Sequence, residues 1–479
     1  MTKRFLMALA ALALVIGMAS AQNTKTVLQN ATEAMGDVKS IQFSGTGHYF
    51  TLGQNFNSSA AWPDSILSSY SRTIDYSARS SKEELTRTDT NPPAIGGGAR
   101  FSGEQKQVNL VSGSYAWNQP GNAPQPAMAA ADERQLQIWL TPHGFLKAAM
   151  ENNATTKSAK SGTMVSFMAM GKFKVNGTID NQNMVTRVET WIPNPVLGDM
   201  PVETKYSNYK DFGGVKFPTS IVQEQGGHPV LDLTVTSVRP NAANDLPVPD
   251  AVKQATPPPV VVKSQKMADG VWFLGGGTHN SVLIEYPSYL VMVEAPLNEE
   301  RSLALIAETK KLVPNKPIKY LVNTHHHFDH SGGVRTYVEE GAIVITNAMN
   351  KSFYEGAWKA PRTLAPDKLS QNPKKPEFVT VKDKYVLTEG ARTLEILHLQ
   401  GETHNEGMMI AYLPKEKILI EADDYTPSAP NAPPPPINVS RSQNLYDNIQ
   451  RLKLDVDAIA PLHGEVSNLA ALMKVTGKS

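Results

Sequence analysis

The sequence predicts a chain in two parts, a mainly antiparallel β first half and an α/β second half. Three observations carry this reading. At 479 residues, 41% of them apolar, the chain is too long for one ordinary domain and rich enough in core formers for two. Hydropathy alternates with a period of two in the first half, whereas strand-like and helix-like runs succeed each other in the second. Between Asn241 and Val262, NAANDLPVPDAVKQATPPPVVV carries Pro247, Pro249 and the triplet Pro257 to Pro259. That spacing denies the segment both helix and central strand and marks a stiff linker. The expected boundaries are a leader over 1–21, a β-rich domain over 22–244, the linker over 245–262 and a second domain over 263–479.

The leader reads MTKRFLMALAALALVIGMASAQ, with Lys3 and Arg4 as a positive head and an apolar run from Phe5 to Met18. Small residues follow at Ala19-Ser20-Ala21, the pattern of a signal peptide cut before Gln22. The run is short for a bilayer span, and no stop-transfer pattern follows, so an exported protein that is not integral to the membrane is expected. The periplasm, or secretion beyond it, is the predicted destination. No cysteine occurs anywhere, which removes disulfides, thiolate ligands and cysteine nucleophiles. Without Lys3 and Arg4, 44 basic residues face 45 acidic ones, so there is no basic excess for nucleic acid or anionic lipid.

In the first half, a short helix is predicted around Thr26–Met35. Phe173, Val175 and Ile179 then alternate with Lys172, Lys174, Asn176 and Asp180, and Leu231, Leu233 and Val235 with Asp232, Thr234 and Thr236. Asn176-Gly177 and Gly213-Gly214 read as turns between strands of a curved antiparallel sheet. His48, His143 and His228 stand apart from one another and from other catalytic residue types. NATEAMGDVKSIQFSGTG and YKDFGGVKFPTSI resemble the periplasmic lipoprotein-carrier (LolA-like) half-barrel superfamily. That resemblance implies a concave sheet able to take a lipid or other hydrophobic ligand.

In the second half, Gly270–Leu274 and Ser281–Tyr286 read as paired strands flanking GGGTHN, followed by a strand at Tyr289–Val293. A helix with Leu305, Ile306, Leu312 and Val313 on one side ends at Pro314. Ile318–Asn323 is a buried strand that runs into NTHHHFDHSGG, and Ser331 to Glu340 reads as the helix that follows. Such a sandwich places its site at strand ends.

Four histidines and one aspartate occupy the six residues from His325 to His330. If this stretch is extended, His325 and His327 point the same way and share one metal, while His326 faces the opposite side. Asp329 and His330, re-aimed by the bend, suit a second ion, and Gly332-Gly333 let a helix start close beneath. A two-metal site needs more ligands, and His404 in GETHNEGMMIAYLP, Asp423 in KILIEADDYTP and His463 in IAPLHGE each lie near the end of an apolar run. Met408–Leu413 and Ile418–Ile420 form a hairpin that brings His404 and Asp423 together.

With these residues in this order, the stretch from Val271 to Gly464 resembles the metallo-β-lactamase fold superfamily, an αββα sandwich. The resemblance implies that His325, His327 and His404 bind one metal, that Asp329, His330 and His463 bind a second, and that Asp423 bridges them. Two departures stand out: Glu402-Thr403-His404-Asn405 replaces the common Gly-His-Thr, and Glu294 ends the earlier strand where aspartate is commoner. The donors suit two divalent ions, zinc first, with iron or manganese also compatible. The implied chemistry is metal-assisted hydrolysis by a metal-bridging hydroxide, with Asp329 orienting it or carrying a proton.

An aspartate at 423 resembles the glyoxalase-II, lactonase and phosphodiesterase branches, so a small-molecule carboxylic ester, thioester or lactone is the expected substrate. A β-lactam is the alternative, favoured by export. The rival of another class is a periplasmic carrier of hydrophobic ligands with a metal-binding accessory domain. On the substrate side, His279 in the GGGTHN loop and Tyr425, two residues past Asp423, are candidates. The proline-rich PSAPNAPPPPINVS (427–440) is a candidate rim over the site.

Overall fold

A computed structural model describes residues 23–97, 101, 103–427 and 439–478. The expected leader, and all but the ends of the proline-rich segment 427–440, lie outside these residues. Among the described residues no helix is long and apolar enough to cross a membrane.

The first half is a thirteen-stranded sheet in which every neighbouring pair is antiparallel. Its first strand, Ser40–Phe50, pairs with its last, His228–Pro240, so two meanders run outward from the middle to opposite edges. Register shifts between Ser44 and Gly45 and between Leu67 and Ser69 add twist to the centre. One face is filled by residues 23–35, which are helical, and by the helices Ala131–Trp139 and Pro142–Glu151. Phe145, Leu136 and Met35 join Phe43, Val175 and Phe217 in a single core. The alternation around Phe173 is realised in the strand Phe173–Ile179, whose odd positions are buried.

Two sequence expectations fail here for identifiable reasons. Asn176-Gly177 is not a turn: it lies within that strand, where a Cβ on Gly177 would sit 2.2 Å from the Phe145 ring. The glycine makes room for an aromatic side chain rather than for a reversal of the chain. Gly213-Gly214 does turn, with φ of 73° and 86°, between Gly198–Asp211 and Lys216–Gln225. The linker, expected to hold no helix, carries one turn of it at Asp250–Lys253, begun by Pro249 with φ near −62°. Val252 anchors that turn, fully buried against Leu110 and Trp117.

The second half stacks a seven-stranded mixed sheet on a six-stranded one. The inner faces share a core that includes Val291, Val322, Ile396, Ile410 and Ile420. Glu299–Leu312 and Val334–Glu340 cover the first sheet through Leu305, Ile306, Val334 and Tyr337. Val439–Leu452 covers the second through Leu445 and Ile449. The result is the predicted αββα sandwich. The long helix starts where Asn298 caps the Arg301 amide, with Glu299 and Glu300 in the first turn and Lys310 and Lys311 in the last, the charge order its dipole favours.

Among the described residues, two of the contacts between the halves stand out. Asp199 accepts from the backbone amides of Thr363 and Leu364 and from the Thr363 hydroxyl, while Arg362 donates to the carbonyls of Asn194, Pro195 and Val196. The second contact, through residues 53–57 and 96–97, lies beside the histidine cluster.

Candidate metal centre

The strand Ile318–Val322 is parallel to Leu290–Val293 on one side and Ile343–Asn347 on the other, and leaves the sheet at Asn323. Residues 323–327 continue beyond the strand, tied by the Asn323 amide to the Ile345 carbonyl (2.9 Å) and by the Met409 amide to the Thr324 carbonyl (3.0 Å), and their side chains converge. Alternation still holds: the rings of His325 and His327 lie 4.6 Å apart, centroid to centroid. His326 turns away to Asn55 Oδ1 (3.0 Å) and Asn405 Nδ2 (3.1 Å). The chain then bends into Phe328–Ser331 and, after Gly332-Gly333, into Val334–Glu340. A Cβ on Gly332 would stand 1.9 Å from the Leu297 carbonyl oxygen, and one on Gly333 2.0 Å from Ser302 Oγ. Any larger residue at either position would push the chain off the segment 295–302.

Two groups of donors result. His325, His327 and His404 offer ring nitrogens within 4.8 Å of one another, and His279, Asp329, His330 and His463 form a second such group. His325 Nε2 faces His404 Nε2 at 3.3 Å, and His330 Nε2 faces His463 Nε2 at 3.1 Å. Where both facing nitrogens are unprotonated, their lone pairs repel unless something positive lies between them. Ligand nitrogens about 2.05 Å from a tetrahedral zinc are about 3.4 Å apart, close to these separations.

Asp423 touches both groups. Its Oδ2 lies 3.5 Å from His325 Nε2, 3.6 Å from His404 Nε2 and 3.0 Å from His330 Nε2, and its Oδ1 3.3 Å from His463 Nε2. His327 Nδ1 and Asp423 Oδ2 are buried without a hydrogen-bond partner. Buried orphan acceptors are costly unless a ligand takes them up. The donor set of imidazole and carboxylate therefore fits two divalent cations.

The far nitrogen of each ring is held. His325 Nδ1 contacts Thr324 Oγ1 (3.1 Å), His463 Nδ1 the Thr278 carbonyl (3.2 Å) and His330 Nδ1 Glu294 Oε2 (3.2 Å). Glu294 also accepts from Asn323 Nδ2 at 3.0 Å and from the Thr324 hydroxyl, so the Glu294 that replaces the commoner aspartate is fully engaged. Such contacts fix tautomer and ring orientation. Glu402, in the second departure, accepts from the backbone amides of Thr403 and His404 and shapes the turn that presents His404.

Electrostatics follow from burial and these pairs. Burial drives the His325 and His327 imidazoles well below their ordinary range, with neighbouring rings adding to the effect. Burial also lowers His326, to about 3. Burial opposes the charged form of His330, but Asp423 and Asp329 outweigh it and raise that ring well above its usual value. Asp423 is the converse: burial is overcome by His330 and His404, and its carboxyl falls well below the carboxylate range. Asp329 follows the same balance and is also lowered.

The remaining expectations divide. His279, a substrate-side candidate, is buried, with Nε2 3.2 Å from Asp329 Oδ2 and its ring 4.2 Å from that of His463. Tyr425 is corrected as a substrate-side residue. Its ring is buried in the core and its hydroxyl meets Ser467 Oγ at 3.1 Å, because Asp424 and Tyr425 turn back onto Glu421 through their amides. His398 ends a strand and contacts the Glu406 carbonyl. Sequence reasoning missed Gln54, Asn55 and Gly97 of the first half, which touch Asp329, His327 and His404. TLGQNFN carries no residue pattern that announces such a role.

Residues 274–463 match the family described as the metallo-beta-lactamase superfamily. A linear primary-alkylsulfatase from Pseudomonas sp. is 25% identical over 223 residues, covering 38% of this chain and 41% of that protein. The chain thus spans about two fifths of the length of that relative. Among solved structures, a metallo-beta-lactamase from Pontibacter korlensis is 20% identical, with 45% of this chain and 98% of that one covered and a TM-score of 0.35. One from Hirschia baltica is likewise 20% identical, with 45% and 96% covered and a TM-score of 0.35.

Proposed function

We propose, from the premise that the second half is a metallo-β-lactamase superfamily domain, that this chain is a binuclear metal-dependent hydrolase. The observation that carries this is the position of Asp423, within 3.6 Å of the inward nitrogens of both histidine groups. His325 through Nε2, His327 through Nδ1 and His404 through Nε2 would hold one ion. Asp329, His330 and His463 would hold the other, with Asp423 shared. Zinc suits these donors best, and iron or manganese are compatible. Two bound divalent ions supply Lewis-acid polarisation and a water acidic enough to deprotonate near neutral pH.

The chain's own groups do the rest. Asp329 accepts Gln54 Nε2 on Oδ1, and its Oδ2 faces His279 and the interior, where it can orient a water or pass a proton to a leaving group. An aspartate at 423 favours a carboxylic ester, thioester or lactone. The alkylsulfatase relative favours a second reading, a sulfate ester, and export would favour a β-lactam. A panel of aryl esters, a thioester, lactones, an aryl sulfate and a chromogenic cephalosporin, run with Asp423→Ala as control, separates these. Turnover of none of them by a two-metal enzyme would reject all three substrate classes.

Export through the leader 1–21 belongs to the same proposal, and an N-terminus at Gln22 on the mature protein tests it. A hydrophobic-ligand role for the first half rests on a cavity of about 340 Å³ lined by Tyr49, Phe50, Phe217 and Leu233. Arg72, Glu83 and Arg134 line it too, so an amphiphile with a polar head fits better than a plain hydrocarbon. Absence of fatty-acid binding by the full chain would remove this role.

A further inference from the structure

We infer that the N-terminal domain is a working part of the metal centre, supplying the outer contacts that aim two of its histidines and one of its aspartates. The inference rests on the binuclear reading above. It goes beyond it because residues 53–97 lie outside the stretch that matches the family, 274–463.

Two loops of the first half reach the cluster. In the first, the Asn55 carbonyl lies 2.9 Å from His327 Nε2. A carbonyl only accepts, so Nε2 carries the proton and the orphaned Nδ1 keeps its lone pair toward the site. In the second loop, the Gly97 carbonyl accepts from His404 Nδ1 at 2.6 Å and from Arg441 at 3.0 Å. His404 Nε2 is thereby left unprotonated, facing His325. Gln54 Nε2 donates to Asp329 Oδ1 at 2.7 Å, which fixes the carboxylate and leaves Oδ2 for the interior. These are the contacts that set tautomer and orientation in a metal site. None of the three comes from the sandwich that carries the ligands.

The loops are built to stay there. The Gly97 amide donates to the Gln54 carbonyl (2.7 Å), tying one loop to the other. Gly96 N bonds the Thr403 carbonyl (2.8 Å), and Glu406 N the Phe56 carbonyl (2.7 Å), so each loop is also tied to the turn around His404. Asn55 is buried, and its amide spans the loop to the carbonyls of Asn57 and Ala60 while its Oδ1 takes His326. Gly53, at φ +69°, lies flat on Phe328: a Cβ there would be 2.3 Å from that ring. Gln54, Asn55 and Gly97 are positioning residues, acting through the ligands they hold.

The test is metal affinity, read by chelator competition on the full-length chain for the wild type, Gln54→Ala and Gly53→Ala, with Gly121→Ala as an open-surface control. Circular dichroism of each metal-free protein checks folding. The inference predicts that Gln54→Ala weakens one of two bound metals about 10-fold and spares the other. Gly53→Ala, which wedges the loop off Phe328 and draws the Asn55 carbonyl from His327, weakens the His327 site about 10- to 100-fold. Gly121→Ala leaves both sites unchanged. If Gly53→Ala fails to fold, Gln54→Ala decides alone, since its side chain is not part of the hydrophobic core. Two tight metals with unchanged affinities in the folded variants would overturn this inference and leave the binuclear reading intact. A wild-type chain that binds no metal would overturn both.

Discussion

Replacing Glu294 by glutamine probes the site without removing any proposed ligand. Glu294 is fully buried and accepts from three donors: Asn323 Nδ2 on Oε1, and the Thr324 hydroxyl and His330 Nδ1 on Oε2. Glutamine keeps the volume but turns one oxygen into a donor. If the new NH₂ faces His330, that ring must accept through Nδ1, and its proton moves to Nε2, the atom 3.0 Å from Asp423. If the amide flips, the NH₂ meets Asn323 Nδ2, donor against donor. Either way one bond to a charged acceptor is lost, about 1.5–3 kcal/mol. At about 1.4 kcal/mol per decade, this is a weakening of roughly 10- to 100-fold, the range seen when such outer contacts are removed. Chelator competition should show the loss at the His330 site, with the His325–His327–His404 site within about 3-fold of wild type. Equal affinity at both sites, in a folded variant, would refute the role given to Glu294.

Three further predictions follow from the packing and the charges. His143 is buried in the first half with its pKa lowered by burial to about 4, from 6.5. The unfolded chain then takes up a proton between pH 6.5 and about 4 that the folded one refuses. This group's contribution is constant above pH 6.5 and falls by up to about 3 kcal/mol as pH drops through that window. Urea unfolding of wild type and His143→Gln at pH 7 and pH 4.5 should show the shallower loss in the variant, and parallel losses would contradict it. Gly177→Ala pushes a methyl into the Phe145 ring and should destabilise the first half by about 1–3 kcal/mol, seen by denaturant titration. Asp199→Ala strands two backbone amides and a hydroxyl at the contact between the halves, so faster proteolysis in the 242–262 segment is expected, with metal content unchanged.

The convergence of the candidate ligands was legible because they sit on strand ends whose hydropathy is plain: Ile318–Val322 before His325, and the hairpin Met409–Leu413 and Ile418–Glu421 between His404 and Asp423. Spacing of two along extended chain separates His326 from its neighbours, and the structure keeps that separation. What stayed hidden involves contacts distant in sequence. Asn176-Gly177 has the chemistry of a turn, and only Phe145, folded over it from a helix, makes it a strand. Tyr425 is two residues from Asp423, but the turn onto Glu421 sends its ring into the core. The enclosure of His279 is not readable locally, since nothing in the GGGTHN loop says that residues 329, 330 and 463 will close around it. The carbonyls of Asn55 and Gly97 are invisible in principle, since every residue has one.

The central claim is that Asp423 joins two metal sites into one. The most direct test is metal content by mass spectrometry of the purified full-length protein and of Asp423→Ala, each after reconstitution with zinc and passage over a desalting column. About two zinc ions per wild-type chain and about one or fewer in the variant are expected, with hydrolysis lost alongside. Two tightly held ions in the variant, or none in the wild type, would contradict that claim.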